Sequence, residues 1–137
     1  MSHEFTGLEL MADLYDCTAD LNDKSLLESL AKEAIKKANM KEVQMFVVPF
    51  SPQGIDLVSI LAESSMIVHT YPEHKALFLN IFTCGRKGRP LHALNIFASG
   101  LRPKKINYII VDRGGRRGLR VSGVKHVKGA QIFRSHT

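Results

Sequence analysis

At 137 residues, with 45% hydrophobic and 23% charged residues, the chain has the composition of a single ordinary globular domain. No apolar run approaches the roughly 20 residues that span a bilayer, and the N-terminus lacks a signal-peptide pattern, so we expect a cytoplasmic protein with no membrane partner. The formal net charge of +6 is concentrated at one end, because residues 113–137 hold seven basic residues and no acidic one.

The first part of the chain predicts a strand, a helix and a second strand. Apolar residues alternate over residues 5–16, which indicates a half-buried strand. Over residues 24–40 they recur at helical spacing after a possible cap at Asn22 or Asp23, which indicates an amphipathic helix. Residues 43–50 are predicted as a strand that ends at a Ser-Pro-Gln-Gly turn.

The second part predicts more strands and one more helix. Strands are expected at residues 55–62, 66–71 and 76–84, where the first two form either one run or two successive strands. A basic loop then leads to Pro90, which suits the first turn of a helix, and Gly100 is a natural end for that helix. With a last core strand at residues 105–112, the predicted order is β-α-β-β-β-α-β.

This order predicts an α+β fold with two helices on one face of a mainly antiparallel sheet. The other face of the sheet is also apolar enough to need cover. A second copy of the chain would supply that cover, so we expect a two-layer protomer that dimerises into an α/β/β/α sandwich. The domain is predicted to span residues 1–113.

The remaining residues, 114–137, are predicted as a basic tail. Such a tail would attract phosphate groups. A solvated tail is the more ordinary interpretation of a charged run, and we prefer it to a nucleic-acid site.

Reactive side chains are concentrated around residues 61–85, where a hairpin core would need only apolar ones. They are Glu63, Ser64, His69, Glu73 and Cys84. The sequence holds no CxxC pair, so its two cysteines, Cys17 and Cys84, are expected to be free thiols and not zinc ligands.

Two kinds of site, a serine hydrolase and a metal centre, fit this cluster poorly. A serine hydrolase would combine Ser64 with His69, but the chain lacks a G-x-S-x-G elbow, and residues five apart on a regular strand point to opposite faces. A metal site would draw on His69, His74, Cys84 and His92, but these residues have no standard ligand spacing, so we predict no metal.

A third possibility is that the chain makes its own cofactor at Glu63-Ser64. A serine hydroxyl can attack the carbonyl of the preceding residue, elimination from the resulting ester then cuts the chain, and hydrolysis with loss of ammonia leaves a pyruvoyl ketone. That ketone takes a substrate amine as a Schiff base and accepts electrons when carbon dioxide leaves. A nearby acid must then supply a proton. Composition alone does not select this chemistry, because Glu-Ser pairs are common.

Three segments carry more specific information: Leu61-Ala-Glu-Ser, Ile67-Val-His-Thr-Tyr-Pro-Glu and Ile81-Phe-Thr-Cys-Gly. Their order resembles the pattern A-E-S-H-x-x-x-H-T-W/Y-P-E and F-T-C-G of the prokaryotic S-adenosylmethionine decarboxylase proenzyme family. The opening Gly-Leu-Glu-Leu-Met-Ala-Asp-Leu-Tyr-Asp-Cys, the Phe-Ser-Pro-Gln-Gly segment and the Leu-Arg-Pro-Lys segment extend the similarity. The resemblance covers roughly residues 5–113.

The resemblance implies self-cleavage between Glu63 and Ser64, so that Ser64 becomes a covalent pyruvoyl group. It further implies that His69 carries a proton during processing and that Cys84 protonates the decarboxylated product. Members of this family are homodimers with active sites near the interface, in an α/β sandwich, which agrees with the two apolar faces of the predicted sheet.

By the same resemblance, Phe50 and Glu73 lie near the substrate, with Phe50 as a stacking surface for adenine. Among the positions that depart from the family pattern, three bear on the expected site. Glu9 replaces an opening histidine, Ser65 replaces the histidine after the serine, and Asp56 stands where the family has a serine that assists processing. An ionised carboxylate cannot donate a hydrogen bond as a hydroxyl does, so Asp56 bears directly on self-cleavage.

The resulting expectation is a pyruvoyl-dependent S-adenosylmethionine decarboxylase of polyamine (spermidine) biosynthesis, acting on a small cationic substrate. Because Asp56 and Glu9 add negative charge near the expected site, a relative that decarboxylates ornithine or arginine is one alternative. The other alternative is a processing-deficient relative that serves as a binding or regulatory subunit through its basic tail.

Overall fold

The computed structural model describes residues 5–85 and 88–129, and these form one antiparallel sheet with two helices on one face. The strands are β1 (Thr6–Tyr15), β2 (Glu42–Pro49), β3 (Ile55–Leu61), β4 (Ser64–Tyr71), β5 (Ala76–Cys84), β6 (Lys105–Gly114), β7 (Arg120–Val121) and β8 (Lys125–Lys128). The helices are α1 (Lys24–Lys37) and α2 (Pro90–Leu101), and a 3₁₀ turn, Pro72–His74, joins β4 to β5. This is the α+β fold predicted from the sequence.

The sheet has the strand order β2-β3-β4-β5-β1-β6-β7, and β8 also pairs with β6. Every neighbouring pair is antiparallel. The first strand of the chain therefore lies inside the sheet, between β5 and β6, and it holds two parts of the chain together that are distant in sequence.

The core lies between the helices and one face of the sheet. Alternate residues of β1, including Leu10 and Leu14, are fully buried, as the alternating pattern predicted. The helix α1 buries a stripe that includes Leu27 and Ala31, and α2 contributes Phe97. Neither helix in the described part of the chain is long and apolar enough to cross a membrane.

Helix α1 begins as predicted but ends earlier. The side chain of Asp23 accepts a hydrogen bond from the backbone N–H of Leu26 at 3.0 Å, which satisfies a donor of the first turn. The predicted end at residue 40 is wrong, because Asn39 adopts a left-handed backbone with φ of 62° and stops the helix at Lys37.

The predicted role of Gly100 is also wrong. Helix α2 continues through Gly100 to Leu101, and Arg102, with φ of 51°, follows as its cap. A Cβ atom on Gly100 would lie 2.3 Å from a methyl carbon of Leu30 on α1. The glycine therefore allows the two helices to approach closely, which is a tertiary requirement and not a local stop signal.

Two features of the strands go beyond the predicted order. The strands β3 and β4 are separate, because Leu61 pairs with Ser64 across a two-residue turn of Ala62 and Glu63. The short strands β7 and β8 pair with β6, so part of the predicted tail joins the sheet. Residues 130–137 of that tail, and residues 86–87 of the predicted basic loop, lie outside the described residues.

The sheet face away from the helices is open and partly apolar. Alternate residues of the strands point to this face, and the exposed apolar ones include Met11, Phe46, Val48, Val58, Ile60 and Phe78. An exposed apolar surface of this extent is typical of a surface that contacts another molecule.

Candidate active site

Ser64 is the first residue of β4 and directly follows the β3–β4 turn. Glu63, the residue before it, has φ of 62°, in the left-handed region. This conformation costs a non-glycine residue roughly 1–2 kcal/mol. The bond that the sequence predicts to be cut therefore joins a strained, exposed residue to the start of a regular strand.

Ser64 lies beside Cys84, although the two are twenty residues apart in the chain. Because β4 and β5 are antiparallel neighbours, the start of one strand meets the end of the other. The Ser64 hydroxyl accepts a hydrogen bond of 3.0 Å from the backbone N–H of Cys84. The predicted pyruvoyl precursor and the predicted proton donor thus belong to one location.

Two cavities flank this location. One, of about 550 Å³, is lined by Glu63, Ser64 and Cys84 together with residues before β2, such as Lys41. The other, of about 360 Å³, is lined by Glu63 and Cys84 on one side and by Arg113 on the other. Both volumes are in the range of small-molecule sites, so a ligand has access to Cys84.

The two cysteines differ in their surroundings. Cys17 is buried, and burial raises the pKa of its thiol to about 11, with the negative charge of Asp16 adding to the effect. Cys84 is only partly buried and borders both cavities. Of the two thiols, only Cys84 has the exposure that proton transfer to a ligand requires.

His69 lies at the other end of β4 and pairs with Asp56. The two residues are directly opposite each other on β4 and β3, and His69 Nδ1 lies 2.8 Å from Asp56 Oδ1. A carboxylate in this position accepts the Nδ1–H of the ring, which leaves Nε2 of the neutral imidazole as the basic nitrogen.

Two other predicted residues lie at the same end as His69. Phe50 directly follows β2, where Val48 pairs with Asp56, and its ring is exposed. Glu73 is exposed in the 3₁₀ turn that follows β4. We call Phe50, Asp56, His69 and Glu73 the His69 group.

Glu9 lies at the Ser64 end of the sheet, where it pairs with Phe82. Its carboxylate accepts hydrogen bonds from Arg113 Nη1 at 2.8 Å and from Asn80 Nδ2 at 3.1 Å. The negative charge of Glu9 is therefore already compensated within the chain. We call Glu9, Glu63, Ser64 and Cys84 the Ser64 group.

The predicted site residues thus fall into two groups at opposite ends of the sheet. Ser64 and His69 are five residues apart on a regular strand, which corresponds to about 17 Å at 3.3–3.4 Å per residue. The structure brings His69 to Asp56 but not to Ser64, so these three residues of one chain do not form a Ser-His-Asp hydrolase site. Among the described residues, no group of three or more His, Cys, Asp or Glu side chains is arranged to hold a metal.

Sequence reasoning missed the residues that enclose the Ser64 group. Arg113 was considered only as part of the positive charge at the end of the chain, yet it binds Glu9 and lies 5.7 Å from the ring centre of Phe82. It reaches them because Gly7 of β1 pairs with Arg113 on one side and with Cys84 on the other. That register is not visible in the sequence.

A family model described as S-adenosylmethionine decarboxylase matches residues 8–114, which is more than half of the chain. The chain belongs to the S-adenosylmethionine decarboxylase family. The S-adenosylmethionine decarboxylase proenzyme of Aquifex aeolicus is 34% identical over 109 residues, covering 79% of this chain and 81% of that protein. The proenzyme of Archaeoglobus fulgidus is 30% identical over 109 residues, covering 79% of this chain and 97% of that protein.

A solved structure of this family has the same fold. The crystal structure of the adenosylmethionine decarboxylase from Aquifex aeolicus superimposes with a TM-score of 0.73 at 31% identity, covering 82% of this chain and 93% of that one. The comparisons confirm the family recognised from the sequence, its enzymatic class and its antiparallel sheet with two helices. They give no support to the ornithine or arginine alternative, or to a non-enzymatic subunit.

Proposed function

We propose that this S-adenosylmethionine decarboxylase family member is itself an S-adenosylmethionine decarboxylase of polyamine (spermidine) biosynthesis, acting in the cytoplasm. It would form by self-cleavage between Glu63 and Ser64. The observation that carries the proposal is the contact between Ser64 and Cys84 at the wall of a ligand-sized cavity, in a chain of this family.

The local geometry fits a pyruvoyl group made from Ser64. Glu63 lies in a strained two-residue turn, and the Ser64 hydroxyl that follows it is fixed by a hydrogen bond from the backbone N–H of Cys84. Cleavage would give chains of residues 1–63 and 64–137. A pyruvoyl group at position 64 would supply a ketone that condenses with the substrate amine and withdraws electrons as carbon dioxide leaves.

The role proposed for Cys84 is to donate the proton that replaces the carboxylate. A proton donor must reach the reacting carbon directly or through one water. Cys84 borders the two cavities that also contain Glu63, so its thiol is close to where the new N-terminus would lie. Burial keeps Cys17 from this role.

A second copy of the chain is needed to bring the His69 group to Ser64. The distance of about 17 Å along β4 is several times the length of a histidine side chain. If two open sheet faces pack with their ends reversed, the His69 end of β4 in the partner subunit lies over the Ser64 end of β4 in the first. We therefore propose a homodimer, which also covers the exposed apolar residues of that face.

The substrate contacts would then be shared between the two groups. The exposed ring of Phe50 suits stacking on adenine, and Glu73 supplies a free-standing carboxylate on the same end for the cationic substrate. The Glu9 carboxylate already accepts hydrogen bonds from Arg113 and Asn80. Its negative charge therefore gives little reason to prefer ornithine or arginine, which carry a positive group at the end of the side chain.

Asp56 does not need to copy the serine that the family has at this position. Its carboxylate accepts the Nδ1–H of His69 at 2.8 Å, which orients the ring and leaves Nε2 as the base. We propose that Asp56 assists self-cleavage by positioning His69, where a serine would donate a hydrogen bond.

Intact-mass measurement of the freshly purified full chain tests the first step. We expect two species, residues 1–63 and residues 64–137 with its modified first residue, and we expect Ser64→Ala to remain one uncut chain. Ser65→Ala is the matched control, because it removes a neighbouring hydroxyl and should still be cut. Wild-type protein that stays a single 137-residue species would contradict the proposal.

Carbon dioxide release then tests the substrate. Cleaved enzyme is assayed in parallel with S-adenosylmethionine, ornithine and arginine. We expect carbon dioxide release from S-adenosylmethionine alone. Release from ornithine or arginine, with none from S-adenosylmethionine, would show that the proposed substrate is wrong.

A further inference from the structure

A third cavity, of about 580 Å³, lies where β1 begins and β6 ends. We call it the arginine cavity, because its charged lining consists of Arg113, Arg116, Arg117 and Arg120 with Asp112 as the one carboxylate. Three of these arginines, Arg116, Arg117 and Arg120, belong to residues 114–137, which sequence analysis assigned to a solvated tail. In the structure they line a partly open cavity.

The loop that carries these arginines is fixed at both ends. At its start, Gly115 donates a backbone hydrogen bond of 2.6 Å to Phe5, and Gly114 packs so closely on Phe5 that a Cβ atom would lie 2.3 Å from its carbonyl oxygen. At its end, Arg120 pairs with Asp112 in the β6–β7 ladder, and Ser122 donates to the carbonyl of Ile110 at 2.9 Å. The arginines are therefore held around the cavity.

Most of the positive charge in the arginine cavity is uncompensated. Arg113 is bound to Glu9, but Arg116, Arg117 and Arg120 form no ion pair with any residue among those described. Guanidinium groups placed together repel one another unless an anion lies between them. Their planar donors match the oxygens of a phosphate group in pairs.

We propose that the arginine cavity binds a compact, multiply charged oxyanion, either free phosphate or the phosphate group of a small ester. The limited size of the cavity favours a small anion over a nucleic acid, because the basic residues beyond the loop, Lys125 and Lys128, lie on β8 and do not line the cavity. Arg113 and Gly114 line both the arginine cavity and the smaller cavity beside Cys84. The anion site therefore borders the proposed substrate site.

This neighbourhood predicts an effect on substrate binding, which rests on the proposed function. Uncompensated arginines repel a cationic substrate, and a bound anion removes that repulsion. For charges about 10 Å apart the interaction corresponds to roughly a twofold change in affinity per charge. We expect saturating anion to lower KM for S-adenosylmethionine at least twofold and to leave kcat nearly unchanged.

Anion binding itself is tested by calorimetric titration of the full chain, at constant ionic strength set with chloride. The probes are inorganic phosphate, inorganic triphosphate and a phosphate monoester such as glycerol phosphate, whose relative affinities distinguish the free anion from an ester. We expect saturable binding of one anion per chain. The triple variant Arg116→Gln, Arg117→Gln, Arg120→Gln should weaken binding at least tenfold.

The matched control removes the same charge elsewhere. Lys24→Gln, Lys36→Gln, Lys37→Gln changes three exposed cations on α1 and should leave the affinity within twofold. Equal weakening in both triple variants, or binding of an oligonucleotide but of none of the three probes, would overturn the proposal. If the arginine triple variant does not fold, Arg117→Lys keeps the charge without the planar fork and should weaken binding at least threefold, and unchanged affinity there would overturn it as well.

The titration is repeated on the Ser64→Ala chain, so that the two proposals can fail separately. Anion binding does not require self-cleavage, and we expect the same affinity in the uncut chain. If the wild type cuts itself but binds no anion, only the proposed anion site is contradicted. If the wild type binds the anion but remains uncut, only the proposed enzymatic function and the effect on KM are contradicted.

Discussion

The two ends of β4 carry the two residue groups of the proposed chemistry. At the Ser64 end, the Ser64 hydroxyl accepts a hydrogen bond of 3.0 Å from the backbone N–H of Cys84. At the His69 end, an imidazole and a carboxylate meet at 2.8 Å. Each end is assembled by the register of neighbouring strands, but the regular rise of the strand keeps the two about 17 Å apart. One protomer therefore contains both groups but does not bring them together.

The sharpest test of this comparison is complementation between two inactive chains. His69→Ala retains Ser64, and Ser64→Ala retains His69, and we expect each chain to stay uncut alone. Refolded together, they would form mixed dimers in which Ser64 of one chain meets His69 of the other. We therefore expect the His69→Ala chains in those dimers to be cut, measured by intact mass.

A matched control contains no His69 at all. Mixing His69→Ala with the double variant Ser64→Ala, His69→Ala should yield no cleavage. If the first mixture also remains uncut while native mass spectrometry shows that mixed dimers form, the two ends do not act across the interface and the shared site is wrong.

The next effect concerns the Ser64 end alone. Cys84→Ala removes the proposed proton donor but keeps the backbone N–H that binds Ser64. We expect cleavage to continue and turnover of the cleaved enzyme to fall about 10²- to 10⁴-fold, the usual contribution of a general acid. Turnover equal to the wild type would refute the role of Cys84.

The two cysteines allow an independent check at the same end. Because the pKa of Cys17 is raised to about 11, only about one thousandth of that thiol is ionised at pH 8, and its burial excludes reagents. We expect iodoacetamide at pH 8 to label Cys84 and spare Cys17, as measured by peptide mass spectrometry. Labelling of Cys17 should appear only as the pH approaches 11.

A smaller effect is expected at the His69 end. Asp56→Ala removes the acceptor for the Nδ1–H of His69, and we expect self-cleavage to slow about 10- to 100-fold, as with other partners that orient a histidine. Asp56→Asn keeps an acceptor oxygen and should slow it less. The time course of cleavage after synthesis measures both.

The tautomer of His69 distinguishes a positioning role of Asp56 from a purely structural one. In uncut Ser64→Ala precursor, nitrogen NMR at a pH where His69 is neutral should show the proton on Nδ1, and Asp56→Ala should move it to Nε2. If the tautomer and the cleavage rate are the same in both chains, Asp56 does not position His69.

Much of this fold follows from local patterns, and the exceptions have tertiary causes. The alternation in β1 and the stripe in α1 predicted which faces are buried. Gly100 was misread because a glycine that admits Leu30 of another helix looks, in sequence, the same as a helix stop. The strands β7 and β8 were missed because they are short and charged, and only pairing with β6 orders them.

The candidate site shows the same division. The reactive residues were recognised from motifs, and the neighbourhood of Ser64 and Cys84 agrees with the one expected of adjacent strands. Ser64 and Cys84 are separated from His69 because β4 runs without a break from Ser64 to Tyr71. The sequence alone does not reveal this, because it leaves open where one strand ends and the next begins between residues 62 and 66. The pairing of Glu9 with Arg113 depends on two registers of β1, and no local signal encodes it.

The smallest expected effect lies in the turn that precedes Ser64. Glu63 holds φ of 62°, and glycine adopts this conformation without steric cost, so Glu63→Gly should stabilise the uncut Ser64→Ala precursor by about 0.5–1 kcal/mol in urea unfolding. Glu63→Ala is the control, because it removes the same side chain but keeps the strain. In chains that retain Ser64, the relaxed Glu63→Gly turn should also be cut more slowly than the Glu63→Ala turn. If the glycine chain is no more stable and no slower than the alanine chain, strain at Glu63 plays no part in opening the bond.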